Sequence, residues 1–263
     1  MRVLLFICCL LPLSTFAGSQ TNPKAIFAPE RIVKFSKEVE RYAAQQGARA
    51  FIIGRVGRHP SDLPRDISFT HTAIAVYSSI TLDNGEITQG YAIHNLYQKP
   101  NDASHSVLMT DYPVDFFWGA QDLKAGLIIP EASVQLALLQ LYANDKAKTL
   151  HNDKYSAIAN PINSQFQNCT EYTLDLINAA IYQTTDIQRL KANAQAYFLP
   201  QPIHKSRLAL GIGSAFMPDI TTSDHKGKVK TTTFTSIARY LHQYDLLREA
   251  TVIDQNLKAK PLI

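Results

Sequence analysis

Two β-rich runs joined by a short turn are the feature that most limits how this chain can fold. Residues 69–79 (FTHTAIAVYSS) and 87–97 (ITQGYAIHNLY) are rich in β-branched and aromatic residues. Asn84-Gly85 lies between them, and this dipeptide is the strongest short-range signal for a β-hairpin. The sequence therefore predicts two antiparallel strands, and with them an antiparallel sheet.

Apolar residues at helical spacing predict helices that pack on this sheet. In residues 29–46, Ile32, Phe35 and Val39 recur on one helical face. Similar patterns are found at residues 131–144, 169–182, 186–197 and 234–244. This mixture of short strands and helices predicts an α+β fold with an antiparallel sheet packed against helices. With 46% hydrophobic residues, we expect one domain over residues 20–263, with helical appendages at its N- and C-terminal ends.

The first residues have the pattern of a secretory signal peptide. Arg2 supplies a positive start, residues 3–13 form an apolar run, and residues 14–19 offer small side chains for cleavage. We therefore predict a signal peptide over residues 1–19 and a periplasmic or secreted protein. The apolar run is shorter than the roughly 20 residues that a membrane helix needs. We expect no integral membrane segment after cleavage.

Composition excludes little else. The formal net charge is only +4 and no run of five basic residues occurs, so we expect no nucleic-acid partner. No sequence pattern indicates a cofactor, and the sequence does not define an oligomeric state.

One cysteine, Cys169, is expected in the mature chain, because Cys8 and Cys9 lie in the predicted signal peptide. Asn168 before it is a good helix N-cap, and Glu171 completes a capping-box pattern. The helix N-terminus favours a thiolate by about 0.3–1 kcal/mol. Because a lone thiol has no intramolecular disulfide partner, we interpret Cys169 as a nucleophile. The alternative is an intermolecular disulfide.

His71 is the candidate base for this thiol. It opens a predicted strand in an apolar stretch, where an imidazole needs a polar neighbour. A histidine beside Cys169 would lower the pKa of the thiol and would act first as base and then as acid. The alternative interpretation is a core histidine that is hydrogen-bonded to the backbone.

The returning strand of the hairpin offers a third group to orient the imidazole. His94 and Asn95 both fall near His71, and a register shift of one residue exchanges them. We prefer His94, because Tyr91, Ile93 and Asn95 then share the opposite face. Asn95 is the alternative orienting residue, and His94 would then be an ordinary surface residue.

Three segments together resemble a known superfamily. They are residues 69–74 (FTHTAI), the strand that contains His94, and residues 168–171 (NCTE) at a helix start. Their order resembles the circularly permuted branch of the NlpC/P60 papain-like superfamily, in which histidine precedes cysteine. That branch includes lecithin retinol acyltransferase-like proteins and bacterial envelope hydrolases. Residues 30–250 also resemble a bacterial family called domain of unknown function 2145.

The resemblance implies a papain-like α+β fold with Cys169 as nucleophile, His71 as base and His94 as orienting residue. In such a site the Cys169 amide, with Gln165 or Gln167, would hold the oxyanion, and Tyr155 would line the cleft. The implied protein is an exported cysteine hydrolase, an amidase or peptidase or an acyl-ester hydrolase. Its substrates would be peptide or acyl groups of the cell envelope.

Two further alternatives follow from the same residues. The protein would be a non-catalytic periplasmic binding or scaffold protein if it kept the cleft without the chemistry. No histidine or cysteine pair has zinc-site spacing, so we expect no metal. A catalytic zinc held by His71, His94 and Cys169 is the one arrangement that the residues allow.

Overall fold

The computed structural model describes residues 24–59, 67–203 and 219–263. The predicted signal peptide, residues 1–19, lies outside the described residues.

A seven-stranded antiparallel sheet is the centre of the fold. Its strand order is β4-β3-β2-β1-β5-β8-β9, and a separate two-stranded sheet pairs β6 with β7. The strands are β1 (Ala50–Val56), β2 (His71–Thr81), β3 (Ile87–Lys99), β4 (Asp102–Asp111), β5 (Asp122–Pro130), β6 (Gln201–Pro202), β7 (Lys230–Thr231), β8 (Leu247–Ile253) and β9 (Ala259–Pro261).

Six α-helices lie in the described part of the chain. They are α1 (Pro29–Gln45), α2 (Pro113–Trp118), α3 (Ala132–Ala143), α4 (Cys169–Tyr182), α5 (Ile187–Tyr197) and α6 (Phe234–Gln243), with a 3-10 helix at Ala147–Leu150. The predicted α+β class is therefore confirmed. Within the described ranges, every helix is too short or too polar to cross a bilayer.

The predicted hairpin is confirmed as the β2–β3 pair. Its register extends from Ile74 opposite His94 to Thr81 opposite Ile87. The turn between the strands is long, and Gly85 takes up a φ of +81° there. The Asn84 side chain stabilises the turn by accepting a hydrogen bond from the amide of Glu86 at 3.0 Å.

The sheet buries both of its faces. Alternate strand residues feed two apolar clusters, one under α1 and α2 and one under α3, α4 and α6. All seven residues of β1 are buried, as expected for a strand covered on both sides. Gly126 lets α6 approach closely, because a Cβ there would lie 2.5 Å from the Phe234 ring.

The two ends of the chain differ in how they join this core. Helix α1 buries Ile32, Phe35 and Val39 in the first cluster, as its periodicity predicts. After α6 the chain returns to the main sheet, where β8 pairs with β5 and β9 extends the edge. The C-terminal end therefore contributes two strands that the sequence did not predict.

Candidate functional site

His71 is the most enclosed titratable residue among those singled out from the sequence. It is the first residue of β2 and is fully buried. Its Nε2 atom lies 2.9 Å from Asn95 Oδ1. Its ring stacks on Tyr97, with 4.6 Å between centroids and 12° between planes. Within the described residues, His71 Nδ1 has no hydrogen-bond partner.

The structure places Asn95, and not His94, on the imidazole. Because Ile74 is opposite His94, Ala73 is opposite Asn95, and residues in such pairs share a face of the sheet. Asn95 therefore points to the side of His71. The preferred residue, His94, therefore does not make the expected contact with the imidazole, and the alternative, Asn95, makes it.

His94 belongs to a separate contact on the other face of the sheet. It stacks on Tyr142 of α3 at 4.0 Å, and its Nδ1 lies 3.3 Å from Thr110 Oγ1. Burial lowers the pKa of His94 to about 4. His94 is therefore a neutral packing residue at neutral pH, and it cannot share a zinc ion with His71.

A short hydrogen-bond chain continues from Asn95 to a carboxylate. Asn95 Nδ2 donates to the Ile93 carbonyl at 2.9 Å and to Asp111 Oδ2 at 3.1 Å. The Tyr97 hydroxyl donates to the same Asp111 oxygen at 2.5 Å. His71, Asn95, Asp111 and Tyr97 therefore form one connected polar group at the β2–β3–β4 region.

Arg55 of β1 places a positive charge beside this group. Its guanidinium donates to the Phe116 carbonyl and lies 5.6 Å from the centroid of the Tyr97 ring. Burial, and then the charge of Arg55, hold the pKa of His71 well below its ordinary value of 6.5, whereas the Asn95 hydrogen bond opposes this shift. The imidazole is consequently neutral at neutral pH, which is the state that a general base requires.

Cys169 is the first residue of α4, as the sequence predicts. Asn168 caps the helix, because its Oδ1 accepts from the Glu171 amide at 2.9 Å. Asn168 Nδ2 donates to the carbonyls of Ser156 and Ala157, so the cap also anchors the preceding loop. Cys169 is only 5% exposed and forms no disulfide within the described ranges.

Cys169 and His71 approach the sheet from different faces. His71 shares its face with Ala73, and its ring packs near Phe116 of α2. Cys169 packs in the apolar cluster of the other face, which includes Leu96. The only hydrogen bond of the His71 ring to a described residue is the one to Asn95, so the thiol and the imidazole are not hydrogen-bonded in this structure.

The starts of α4 and β2 nevertheless lie at the same end of the sheet. The loop before α4 is attached to the first residues of β4, where the Tyr155 amide donates to the Ser104 carbonyl at 2.7 Å. Burial raises the pKa of Tyr97, and the charge of nearby Cys169 is among the smaller causes that raise it further. Tyr97 is therefore near both candidates, since its ring also stacks on His71.

The residues predicted to hold the oxyanion or to line the cleft differ in exposure and in hydrogen bonding. Gln167 is 2% exposed, and its Nε2 donates to the Leu150 carbonyl and to Asp175, so this amide is committed to holding the loop and is not available to an oxyanion. Gln165 is exposed and lines a cavity of about 510 Å³ together with Gln167. Tyr155 is 4% exposed and belongs to the apolar cluster of Cys169.

Sequence reasoning missed an ionic cluster on the other side of the α4 start. Lys191 of α5 donates to Glu171 Oε1 at 2.6 Å and to both oxygens of Asp175 at 2.8 and 2.9 Å. Glu171 therefore binds Lys191 instead of closing the predicted capping box. Burial raises the pKa of Glu171 to about 8, although the charge of Lys191 opposes this. The only sequence signal for this cluster was the pair of acidic residues Glu171 and Asp175, whose spacing of four places them on the same face of a helix.

In the part of the chain that the structure describes, no group of three or more histidine, cysteine, aspartate and glutamate side chains could hold a metal ion.

Comparison with known proteins identifies a family. Residues 42–241 match the family described as an uncharacterized protein conserved in bacteria, domain of unknown function 2145. The chain belongs to this family. The match includes His71, Asn95, Asp111 and Cys169, and so contains the whole candidate site. No curated protein and no solved structure matched the chain significantly.

Proposed function

We propose that the protein is a cysteine-dependent hydrolase in which Cys169 is the nucleophile, His71 the base and Asn95 the orienting residue. The observation that carries the proposal is the state of His71. The imidazole is fully buried, its Nε2 is held by Asn95, and its Nδ1 has no partner among the described residues. A cysteine, a histidine and an asparagine in these roles are one of the recurrent variants of the catalytic triad.

The position of Cys169 supports its role as the nucleophile. The first residue of a helix lies beside backbone N–H groups that have no partner within the helix, and these groups stabilise a thiolate and an oxyanion alike. Asn168 fixes this helix start through one side-chain oxygen and two carbonyl contacts.

The proposed reaction transfers a proton through His71 and the acyl group of the substrate to Cys169. His71 Nδ1 takes the proton from the Cys169 thiol, and the thiolate sulfur forms a bond to the substrate carbonyl carbon. The leaving amine or alcohol departs with the proton from His71, which leaves a thioester on Cys169. Water then hydrolyses the thioester to a carboxylic acid and returns the proton to the thiol.

This reaction requires the thiol and His71 Nδ1 to come within hydrogen-bond distance in the substrate complex. Catalytic hydrogen bonds are often long in the absence of substrate and tighten when it binds. Both residues begin an element at the same end of the sheet, and Tyr97 lies near both. The proposal therefore requires the thiol and the imidazole, which pack on opposite faces of the sheet, to meet at that end when substrate binds.

The resemblance to the permuted NlpC/P60 branch suggests the substrate class. We propose that the substrate is a peptide amide or an acyl ester or amide of the cell envelope, and that the protein acts in the periplasm or outside the cell. These proposals rest on the similarity of residues 69–74 and 168–171 and on the predicted signal peptide.

A specific observation favours a second candidate, a non-catalytic envelope binding or scaffold protein. Cys169 is almost completely buried and packs on the face of the sheet opposite to His71. If this arrangement persists when ligand binds, the thiol serves packing, and no proton transfer to His71 occurs.

Alkylation of Cys169 as a function of pH by iodoacetamide, whose own amide group must enter the site beside the thiol as a substrate amide would, separates the two candidates. The catalytic proposal predicts that His71→Ala lowers the rate at pH 7 by about tenfold or more, because a neighbouring base depresses the thiol pKa by at least one unit. Cys169→Ala should show no labelling.

His94→Ala is the matched control, since it removes a second, half-buried histidine from the neighbouring strand. Its rate should stay within about twofold of the parent rate, which is less than a third of a pKa unit. Equal rates for the His71 and His94 variants would support the scaffold candidate and reject the catalytic one.

A further inference from the structure

Asp111 is the end point of the hydrogen-bond chain that begins at His71. It is the last residue of β4, where it lies opposite Ile93, and its side chain is half-buried. One of its carboxylate oxygens, Oδ2, accepts from both Asn95 Nδ2 and the Tyr97 hydroxyl. Asp111 contacts neither His71 nor Cys169 through any of these bonds, so its influence on them passes through Asn95 and Tyr97.

The contacts of Asn95 determine which end of its amide faces the imidazole. Asn95 Nδ2 has two hydrogens, and the Ile93 carbonyl and Asp111 Oδ2 accept one each. The amide oxygen is consequently the atom that remains for His71.

The orientation of Asn95 in turn determines where the imidazole carries its proton. An amide oxygen can only accept, so His71 Nε2 must be the protonated ring nitrogen. A neutral imidazole carries one N–H, and Nδ1 is then the bare nitrogen. A bare Nδ1 is the atom that can take a proton from a thiol.

We propose that Asp111 is a positioning residue that holds Asn95 with its oxygen toward His71 and thereby keeps His71 in the Nε2–H tautomer. This inference rests on the proposed function, in which Nδ1 takes the proton of Cys169. In the observed orientation the Asn95 amide group donates one hydrogen to the Ile93 carbonyl and the other to Asp111. Rotation of the amide by 180° loses both bonds when Asp111 is present, but only the bond to Ile93 when it is absent.

Tyr97 fixes the position of the Asp111 carboxylate that accepts from Asn95. Its hydroxyl donates to the same oxygen that Asn95 contacts, and its ring lies against the His71 imidazole. Tyr97 thus locates the carboxylate relative to the ring whose tautomer is in question.

The tautomer is measured by long-range proton–nitrogen NMR correlations on the full chain labelled with ¹⁵N-histidine. A His71→Gln sample assigns the His71 signals, and the His94 signals serve as an internal reference. The parent protein should show a protonated Nε2 and a bare Nδ1. Asp111→Leu should shift His71 toward the Nδ1–H tautomer, and should lower the Cys169 alkylation rate at pH 7 by about three- to tenfold, equivalent to half to one unit of thiol pKa.

Asp111→Asn is the conservative variant. Its side chain keeps a carbonyl oxygen that accepts from Asn95, so it should retain the Nε2–H tautomer although it has lost the charge. Tyr97→Phe keeps the ring and removes the hydroxyl, and should produce a smaller shift in the same direction as Asp111→Leu. This variant preserves the test if Asp111→Leu does not fold.

An unchanged tautomer in both Asp111→Leu and Tyr97→Phe would overturn the proposal, because the Ile93 carbonyl alone would then suffice. The same spectra recorded on Cys169→Ser separate this outcome from failure of the proposed function. If Asp111 controls the tautomer there but His71→Ala does not change alkylation of Cys169 in the parent background, the positioning role stands and the hydrolase proposal fails.

Discussion

Two buried polar groups lie near the start of α4, and they use hydrogen bonding in opposite ways. In the His71 group the titratable ring is neutral, and one ring nitrogen has no partner among the described residues. In the Lys191 group the ammonium donates to the carboxyl groups of Glu171 and Asp175 through three contacts. A buried ionic network with a saturated cation holds helices together, whereas a buried base with one bare nitrogen is ready to exchange a proton. The comparison supports a structural role for the Lys191 group and is consistent with the proposed proton transfer at the His71 group.

The largest expected effect is the loss of stability when Lys191 is removed. Lys191→Met leaves Glu171 and Asp175 as two buried acids without their cation, and should lower the free energy of unfolding by about 3–5 kcal/mol. Urea denaturation monitored by circular dichroism measures it.

Lys148→Met is the matched control for this experiment. Lys148 pairs with Asp145 at the surface, with 63% and 78% of the side chains exposed. Its loss should cost about 0–1 kcal/mol. If both lysine variants lose the same free energy of unfolding, the Lys191 group does not have the structural role that the comparison gives it.

The pH dependence of stability should have opposite signs in the two groups. The folded-state pKa of Glu171, about 8, lies above its ordinary value of 4.5, so folding binds a proton and the contribution of Glu171 to stability is lost as pH rises from about 4.5 to 8. The folded-state pKa of His71 lies below 6.5, so its contribution is lost as pH falls below 6.5. His94, with a pKa of about 4, acts in the same direction as His71.

Urea midpoints between pH 4 and 8.5 test these signs. Glu171→Gln should flatten the decline on the alkaline side, and His71→Gln should flatten the decline on the acid side. Asp175, whose pKa burial also raises, keeps part of the alkaline decline in the Glu171 variant. An unchanged profile in Glu171→Gln would contradict the assignment of a proton to that carboxyl group.

A smaller stability effect is expected when His71 itself is replaced. His71→Leu keeps the stacking on Tyr97 as an apolar contact but leaves the Asn95 oxygen buried without its donor, which should cost about 1–3 kcal/mol. Thermal unfolding measures the cost. The comparison predicts that this variant loses more in Cys169 alkylation than Lys191→Met does, although it loses less stability.

The smallest expected effect concerns the cap of α4. Asn168→Ala removes the acceptor of the Glu171 amide and should cost about 0.5–2 kcal/mol. Asp186→Ala, at the N-cap of α5, is the matched control, because its side chain accepts from two amides of that helix. A rise of the Cys169 thiol pKa in Asn168→Ala, but not in Asp186→Ala, would show that the cap supports the thiolate as well as the helix.

Much of the fold was predictable where local patterns are strong. The β2–β3 hairpin, helix α1 and the helix that begins at Cys169 follow from a turn signal, from helical spacing and from a capping residue. Strands β4 and β8 were missed, because each is only partly buried and mixes polar with apolar residues. These segments form strands because they pair with β3 and β5, and local sequence propensity does not predict such pairing.

The candidate site shows the same division. Cys169 and His71 were recognisable from the sequence. A lone thiol at a helix start has no disulfide partner, and an imidazole in an apolar run requires a polar neighbour. The choice between His94 and Asn95 depended on strand register, and a shift of one residue reverses it. The role expected of Gln167 failed because its amide is taken by Leu150 and Asp175, and Asp175 was not recognised as a buried partner.

The sequence by itself determined the β2–β3 hairpin, most of the helices and the reactive residue types, because hairpin turns, helix caps and apolar periodicity act over a few neighbouring residues. Only the tertiary structure decided that Asn95 and Asp111 join His71, that Cys169 lies on the other face of the sheet, and that Lys191 closes an ionic cluster with Glu171. These contacts join residues that are 16 or more positions apart in the chain. Their geometry is set by register and by helix packing, which no local pattern encodes.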